Sequence, residues 1–245
     1  MGLNVTDEHP LLTVFDRIYV INLAHRADRR REMDAQLRRI GLSLDHPAVV
    51  LFPASYPPDQ GVFSSRGARG CFESHLRVHQ AIVADDGIER ALLLEDDADF
   101  VPTFTPRLAA LAPRLRDSWD MFYSVAPLTA QPGDTDLGDG LLRLSPEHGF
   151  DAAHFVGFTR ACSARVVEYL TAMMARPGGS PEGGPMHVDG AYRWMRRAHP
   201  DLVVWATEEP LARQRSSRSD ITTGHFLDRI PILRDMAQLA RRALR

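Results

Sequence analysis

The sequence predicts an α/β fold: an open mixed sheet flanked by helices, in a single Rossmann-like domain. Three observations favour this class. Short, continuous apolar runs at residues 17–23 and 91–94 are typical of buried strands. Residues 27–40 and 71–84 carry apolar side chains at helical spacing. Strands and helices that alternate along a chain indicate a sheet with helices packed on its faces.

The first half of the chain contains the clearest elements. Gly41 follows the first helical segment, where a left-handed terminating residue is expected. Phe72, Leu76 and His79 form one apolar stripe on the second helical segment. Residues 53–69, rich in proline, serine and glycine, predict a loop before it. The predicted elements are strands at residues 17–23, 48–52 and 91–94 and helices at residues 27–40 and 71–84.

The second half alternates in the same way but less regularly. Residues 127–140 and 177–185 are loops rich in turn-forming residues, and the second of these predicts a flexible lid. The predicted elements are helices at residues 106–116, 163–174 and 188–197 and strands at residues 121–125, 154–158 and 202–205.

The 245 residues contain no repeat and no clear interdomain linker, so we expect one domain over residues 1–225. Residues 226–245 alternate leucines with arginines and predict an amphipathic basic helix. This helix could pack on the domain or dock on an anionic membrane surface.

Composition excludes several kinds of chemistry. All 29 basic residues are arginine, so a phosphate-binding loop lysine and a Schiff-base lysine are both impossible. The net charge of −3 gives no electrostatic reason to expect a nucleic-acid partner. Only two cysteines occur, Cys71 and Cys162, which argues against a disulfide framework or a cysteine-rich zinc site.

Residues 1–10 lack the basic segment and the apolar run that are typical of a signal peptide. No stretch of the sequence reaches the ~20 apolar residues that a membrane-spanning helix needs. We therefore expect a cytoplasmic protein, with peripheral contact at the inner face of the membrane through residues 226–245 as a further option.

An acidic cluster follows the strand at residues 91–94. Glu95, Asp96, Asp97 and Asp99 lie where ligands bind in open α/β sheets, beyond the carboxyl ends of the strands. Carboxylates suit Mg²⁺ or Mn²⁺, which often share their coordination with substrate phosphates. A solvated strand end is the simple alternative. A phosphatase with an aspartate nucleophile is disfavoured, because such a site needs a lysine near the phosphate.

Five segments, taken in order, resemble glycosyltransferase family 25, which includes bacterial lipooligosaccharide galactosyltransferases and collagen hydroxylysine galactosyltransferases. The resemblance covers roughly residues 15–221, and this chain departs from the family at residues 103–150 and in the loop before His187. The segments are Val20-Ile21-Asn22-Leu23 with Arg26, Asp28, Arg29 and Arg30; Gly67 to Leu76; Leu92-Leu93-Leu94-Glu95-Asp96-Asp97; Val188-Asp189-Gly190; and Gln214 to Ile221.

The resemblance implies a GT-A-type fold, inversion at the sugar, and a nucleotide-diphosphate sugar donor, with UDP-galactose as a common family donor. It also implies a divalent metal, Mn²⁺ or Mg²⁺, held by Glu95, Asp97 and Asp99. A role in lipopolysaccharide biosynthesis would follow. The donor-binding residues that it implies are Ile21, Asn22, Leu23, Arg26, Arg29, Ser74, His75, Glu95, Asp96, Gln214, Ser219 and Asp220.

The acceptor hydroxyl needs a general base. Asp189 is the first candidate, with helix capping as its structural alternative, and His187 is the second. The acceptor could be a glycan, a lipid-linked molecule or a small molecule. Two other functions stay open: a non-catalytic protein that binds sugar nucleotides, and, less favoured, a metal-dependent phosphohydrolase.

Overall fold

The structure, a computed structural model, describes residues 9–215. The predicted helix at residues 226–245 and the candidate residues Ser219 and Asp220 lie outside this range. The strands are β1 (Arg17–Asn22), β2 (Val49–Pro53), β3 (Arg90–Glu95), β4 (Ala98–Phe100), β5 (Met121–Tyr123), β6 (Thr135–Gly138), β7 (Leu141–Leu144), β8 (Phe155–Thr159), β9 (Val204–Thr207) and β10 (Ala212–Gln214). The helices are α1 (Ala27–Arg39), α2 (Arg66–Ala84), α3 (Phe104–Leu111), α4 (Arg160–Ala175) and α5 (Val188–Ala198).

Eight strands form one mixed sheet in the order β2-β1-β3-β8-β5-β9-β7-β6. The pairs β1–β2, β1–β3 and β5–β9 are parallel, and the other four pairs are antiparallel. Strands β4 and β10 form a separate antiparallel pair. The predicted class, a mixed α/β sheet flanked by helices, is confirmed.

Parallel pairing places the ends of β1, β2 and β3 at one edge of the sheet. Ile21 of β1 lies beside Glu95 of β3, and Asn22 lies beside Pro53 of β2. The apolar middles of β1 and β3 are fully buried, which fixes this register. The polar residues that follow each strand therefore meet in one place.

The first helix matches its prediction closely. Met33 and Leu37 of α1 are fully buried, and Gly41 beyond its end has φ +88°, the left-handed conformation that glycine adopts most readily.

Helix α2 begins five residues earlier than the predicted residue 71. The side chain of Ser65 caps it by accepting a hydrogen bond from the amide of Ala68. The glycines at 67 and 70 made this stretch resemble a loop. As a result Ser74 and His75 lie inside the helix and not at its start.

Two further differences have local causes. The predicted helix at residues 106–116 ends at Leu111 and gives way to a short 3₁₀ turn at Arg114–Arg116, because Pro113 cannot continue the hydrogen-bond ladder. Strands β4, β6, β7 and β10 have only three or four residues each, too few to show a periodicity. Within residues 9–215, no helix is long and apolar enough to cross a membrane.

Candidate active site

A pocket lies at the carboxyl edge of β1, β2 and β3 and is covered by the first half of α2. The cavity has a volume of about 200 Å³ and opens to solvent. Seven residues predicted to bind the donor line it: Ile21, Leu23, Arg29, Ser74, His75, Glu95 and Asp96.

Asp96 is held by the protein at both carboxylate oxygens. Its Oδ2 accepts from Asn22 Nδ2 at 2.6 Å, and its Oδ1 accepts from Arg29 Nη1 at 2.8 Å. Burial raises the pKa of Asp96, and Arg29 and Asn22 oppose that rise. Because both oxygens are occupied, Asp96 mainly fixes the ends of β1 and β3 relative to α1.

Asp97 is also buried, but its carboxylate is only partly satisfied. One oxygen lies 3.3 Å from Arg29 Nη1 and 3.5 Å from Gln214 Nε2. The other oxygen, Oδ1, is buried without a hydrogen-bond partner within residues 9–215. Burial, followed by the charge of Glu95, raises the pKa of Asp97 to about 6. A carboxylate in this state favours either a proton or a cation beside it.

Asp99 is turned to a different partner. Arg215 Nε lies 3.0 Å from Oδ1 and 3.1 Å from Oδ2 of Asp99, and Arg215 Nη2 donates to the same carboxylate. This ion pair ties β4 to the residue after β10. Arg215 thus engages Asp99, and the group of possible metal ligands found within residues 9–215 contains Glu95 but not Asp97 or Asp99.

Glu95 ends a buried chain of hydrogen bonds that links four elements. Its Oε1 lies 3.3 Å from His75 Nε2, and His75 Nδ1 lies 2.9 Å from the Tyr192 hydroxyl. The same hydroxyl lies 2.8 Å from His79 Nε2, and His79 Nδ1 lies 3.1 Å from Ser163 Oγ.

The surroundings of these hydrogen-bonded groups determine the charge states of Glu95 and His79. Burial raises the pKa of Glu95, but the hydrogen bond and charge interaction with His75 outweigh it, so the net pKa is lowered and Glu95 is ionised. Burial lowers the pKa of His79 well below its usual value, so this imidazole is neutral.

The candidate bases flank the pocket without lining it. His187 precedes α5, is exposed and lies 3.1 Å from Ser64 Oγ. Asp189 is half-buried in the first turn of α5 and accepts from the amide of Gly190 at 2.7 Å. After burial and Glu95, the charge of Asp189 is among the causes that raise the pKa of Cys71, which places Asp189 near the pocket wall.

Three other predicted donor residues are not among the lining residues: Asn22, Arg26 and Gln214. Asn22 donates to Asp96, and Arg26 pairs with the exposed Asp28, with Nη2 to Oδ2 at 2.9 Å. Gln214 Nε2 lies 3.5 Å from Asp97 Oδ2.

Seven lining residues lie outside the predicted site set, and three of them have side chains suited to ligand contact: Tyr56, Arg66 and Cys71. The Tyr56 ring is 58% exposed, and the Arg66 guanidinium lies over it at 3.6 Å from the ring centre. An aromatic residue among the prolines of residues 53–58 was the available signal for Tyr56. The position of α2 brings in the other two residues.

Part of the chain matches a known protein family. Residues 51–124, which contain the start of α2 and the acidic cluster, match the family model described as glycosyltransferase family 25 (LPS biosynthesis protein). The resemblance to glycosyltransferase family 25 that the motifs predicted is thereby confirmed.

Two relatives illustrate the range of names in this family. The chain is 33% identical over 128 residues to the inactive glycosyltransferase 25 family member 3 of Homo sapiens, a match that covers 44% of this chain and 21% of the relative. It is 30% identical over 128 residues to procollagen galactosyltransferase 1 of Danio rerio, with the same coverage of 44% and 21%. The match thus spans about a fifth of the length of these relatives.

A glycosyltransferase involved in the glycosylation of the major capsid of PBCV-1 is a distant structural likeness. It has a TM-score of 0.45 and 10% identity, with 83% of this chain and 93% of that chain covered.

Proposed function

We propose that the protein transfers a sugar from a nucleotide-diphosphate donor to an acceptor hydroxyl, and that the donor binds in the pocket at the ends of β1, β2 and β3. The observation that carries the proposal is a pocket lined by an exposed aromatic ring, arginines and the carboxylates of Glu95 and Asp96, followed directly in the chain by the buried Asp97, one oxygen of which has no hydrogen-bond partner within residues 9–215. These are the groups that a base, a diphosphate and a metal ion require.

Each group has a distinct proposed task. Tyr56 stacks on the base, which we take to be uracil, and Arg66 pairs with the diphosphate, because a guanidinium binds phosphate oxygens in a bidentate manner. Arg29 adds positive charge, while Ser74 and the end of β1 at residues 21–23 form the floor beneath the ribose and sugar.

Glu95 and Asp97 would hold Mn²⁺ or Mg²⁺. Asp97 Oδ1, which is buried without a hydrogen-bond partner among residues 9–215, fits this role, because a cation there would satisfy it. Asp99 would join only if Arg215 released it. When bound, the metal supplies positive charge against the developing charge of the departing nucleoside diphosphate.

Asp189 is the proposed general base, with His187 as the alternative. The base removes the acceptor proton as the hydroxyl oxygen attacks the sugar carbon, and the bond to the diphosphate oxygen breaks on the opposite face, which inverts the carbon. An Asp189→Asn protein should keep donor binding and lose most of its transfer rate. Near-normal turnover would transfer the role to another group.

The sugar and the acceptor are the finer parts of the proposal. Galactose and a GT-A-type domain over residues 1–225 follow from the family resemblance, as does a saccharide or lipid-linked acceptor of lipopolysaccharide synthesis. The basic, leucine-containing sequence of residues 226–245 suits contact with an anionic membrane that carries such an acceptor. Flotation with anionic and neutral liposomes, with and without these residues, tests this contact.

A non-catalytic sugar-nucleotide-binding protein is the second candidate, since the human relative is named inactive. Thermal unfolding with a panel of sugar nucleotides, with Mn²⁺ and with EDTA, tests both. A shift specific to one nucleotide and dependent on metal supports binding. Release of nucleoside diphosphate and transfer of the sugar then distinguish the enzyme from the binder.

One result with this nucleotide panel would contradict the proposed function, and a matched variant serves as the control for metal binding. Phosphate release from unrelated phosphate esters, without any nucleotide preference, would favour a phosphohydrolase and overturn the proposal. Asp97→Asn should lose the metal-dependent shift, and the matched change Asp45→Asn, at a side chain that is 91% exposed, should retain it.

A further inference from the structure

Cys71, His75 and Glu95 bring three different metal-binding atoms together on the pocket wall. Cys71 and His75 are one turn apart on α2, and Glu95 ends β3 opposite them. Their ligand atoms all lie within 4.8 Å of one another. Each of the three residues lines the pocket.

The distances from Glu95 Oε1 to the His75 nitrogen and to the Cys71 sulfur are close to the edges of a tetrahedron around zinc. With Zn–S bonds of about 2.3 Å and Zn–N and Zn–O bonds of about 2.0–2.1 Å, tetrahedral angles give edges of roughly 3.3 Å for N···O and roughly 3.5 Å for S···O. His75 Nε2 lies 3.3 Å from Glu95 Oε1, and Cys71 Sγ lies 3.7 Å from the same oxygen. The third separation, between the Cys71 sulfur and a ring nitrogen of His75, is no more than 4.8 Å.

The buried hydrogen bonds behind His75 are compatible with both a metal-free and a metal-bound imidazole. Without metal, His75 Nε2–H donates to Glu95, the Tyr192 hydroxyl donates to His75, His79 donates to Tyr192, and Ser163 donates to His79. With metal on His75 Nε2, coordination of the ion by both groups replaces the His75–Glu95 bond, and the other three bonds reverse: His75 donates to Tyr192, Tyr192 to His79 and His79 to Ser163. Metal-binding histidines commonly have such a partner on their second nitrogen.

We propose that Cys71, His75 and Glu95 form a binding site for Zn²⁺, with three protein ligands and a fourth position open to the pocket. Thiolate and imidazole ligands select Zn²⁺ over Mg²⁺ and Mn²⁺, which prefer oxygen. Binding displaces the thiol proton of Cys71 to solvent, and the two anionic ligands then neutralise the ion. An open fourth position allows water or a donor group of a pocket ligand to complete the coordination.

This zinc site is independent of the proposed glycosyl transfer and is expected whether or not the chain is active. It has one consequence for that activity. Because Glu95 is also a proposed ligand for the harder metal, Zn²⁺ at this site should inhibit a Mn²⁺-dependent reaction.

Cobalt(II) is the direct probe, because a cobalt–thiolate bond gives a charge-transfer absorption band and tetrahedral cobalt gives strong visible bands. We expect wild-type protein to show both with one equivalent of Co²⁺, and Zn²⁺ to abolish them by displacement. Cys162→Ser should retain the bands, since Cys162 lies in α4, and Cys71→Ser should lose the thiolate band. Tyr192→Phe should bind Zn²⁺ about 10–100-fold more weakly.

Absence of a thiolate band in the wild-type protein would overturn the proposal, as would a band that survives in Cys71→Ser. A second measurement needs no variant. Zn²⁺ should slow the alkylation of Cys71 by iodoacetamide, followed by mass spectrometry of its peptide, and Mg²⁺ should not. Equal rates with and without Zn²⁺ would also refute the site.

Discussion

Asp97 is a buried carboxylate that lowers the stability of the fold and is suited to binding a cation. Its carboxylate is only 5% exposed, lies near Glu95, and has one oxygen without a hydrogen-bond partner in the described part of the chain. Burying a charged group without full compensation is costly, and proteins accept that cost where a ligand later supplies the missing partner.

The raised pKa of Asp97 predicts a pH-dependent stability. The folded protein keeps the proton up to about pH 6, whereas the unfolded chain releases it near 3.8, so stability without metal falls as pH rises through this window. At pH 7 in EDTA, Asp97→Asn should therefore raise the free energy of unfolding by about 1–3 kcal/mol. For a chain of this size, Tm should rise by roughly 2–4 °C per kcal/mol.

Denaturant unfolding at pH 4.5 and pH 7 in EDTA measures the Asp97 effect, with Asp45→Asn as the control. The gain from Asp97→Asn should be larger at pH 7 than at pH 4.5. A variant that is less stable than wild type at pH 7 would show that the carboxylate is well satisfied and would remove the argument for a cation beside it.

Substitution of Tyr56 should affect ligand binding more than folding stability. Its ring is 58% exposed and already carries Arg66 on one face, so its removal should change folding stability by less than about 0.5 kcal/mol. Stacking of a base on the ring is worth about 1–3 kcal/mol, so Tyr56→Ala should weaken nucleotide binding by about 5–150-fold. Calorimetric titration with UDP and the sugar nucleotide measures this.

Val62→Ala is the matched control for Tyr56→Ala, because Val62 is 65% exposed in the same loop region but does not line the pocket. Equal affinity of Tyr56→Ala and wild type for every nucleotide would place the base elsewhere.

At the scale of elements, local pattern predicted the long elements and not the short ones. The buried apolar runs of β1 and β3 and the stripes of α1 and α2 are periodic over several turns, so the sheet edge with the acidic cluster followed from the sequence. Strands β4 and β10 exist because they pair with each other across more than 100 residues, which no local pattern records.

The same limit applies to the site. Polar partners at neighbouring strand ends, such as Asn22 and Asp96, follow from the topology. The partner of Asp99 is Arg215, and the partner of His75 is Tyr192, each more than 100 residues away along the chain. The pairing of Asp99 with Arg215 and the buried chain behind Glu95 required the tertiary structure.

The first turns of α2 depend on a glycine that the sequence made look like a loop residue. A Cβ at Gly70 would lie 2.7 Å from the backbone oxygen of Ser55, closer than any real contact, so α2 and the loop that carries Tyr56 touch through this position. Alanine would normally favour a helix by about 1 kcal/mol. Here the clash should exceed that gain.

Gly70→Ala should destabilise the protein by about 1–3 kcal/mol and weaken nucleotide binding, because the Ser55 segment must move. Gly149→Ala, where a Cβ meets nothing within 4 Å, should be nearly neutral in both measurements. Thermal unfolding and the same titration give both values. A Gly70→Ala protein more stable than wild type would show that this contact yields easily.

At the scale of the whole molecule, a buried arginine of α5 contacts part of residues 103–150, the region predicted to depart from the family. Arg196 is 1% exposed, packs 4.6 Å from the Phe150 ring and 5.6 Å from the Tyr123 ring, and donates to the backbone oxygen of His148 at 3.0 Å. His148 in turn lies 2.6 Å from Asp134. Helix α5, which carries Asp189, is thereby joined to residues 127–150.

Burial lowers the pKa of Arg196, and two of its nitrogens, Nε and Nη1, have no hydrogen-bond partner within residues 9–215. A buried cation in this state costs stability, whereas its long apolar stem contributes packing. Arg196→Met keeps the stem and removes the charge, so urea unfolding should show a change between neutral and about 2 kcal/mol more stable. Arg196→Ala loses the packing as well and should be less stable than wild type by about 2–4 kcal/mol. If Arg196→Met were as destabilising as Arg196→Ala, the charge of Arg196 would be what joins residues 127–150 to α5. An anionic partner of Arg196 would then have to be sought.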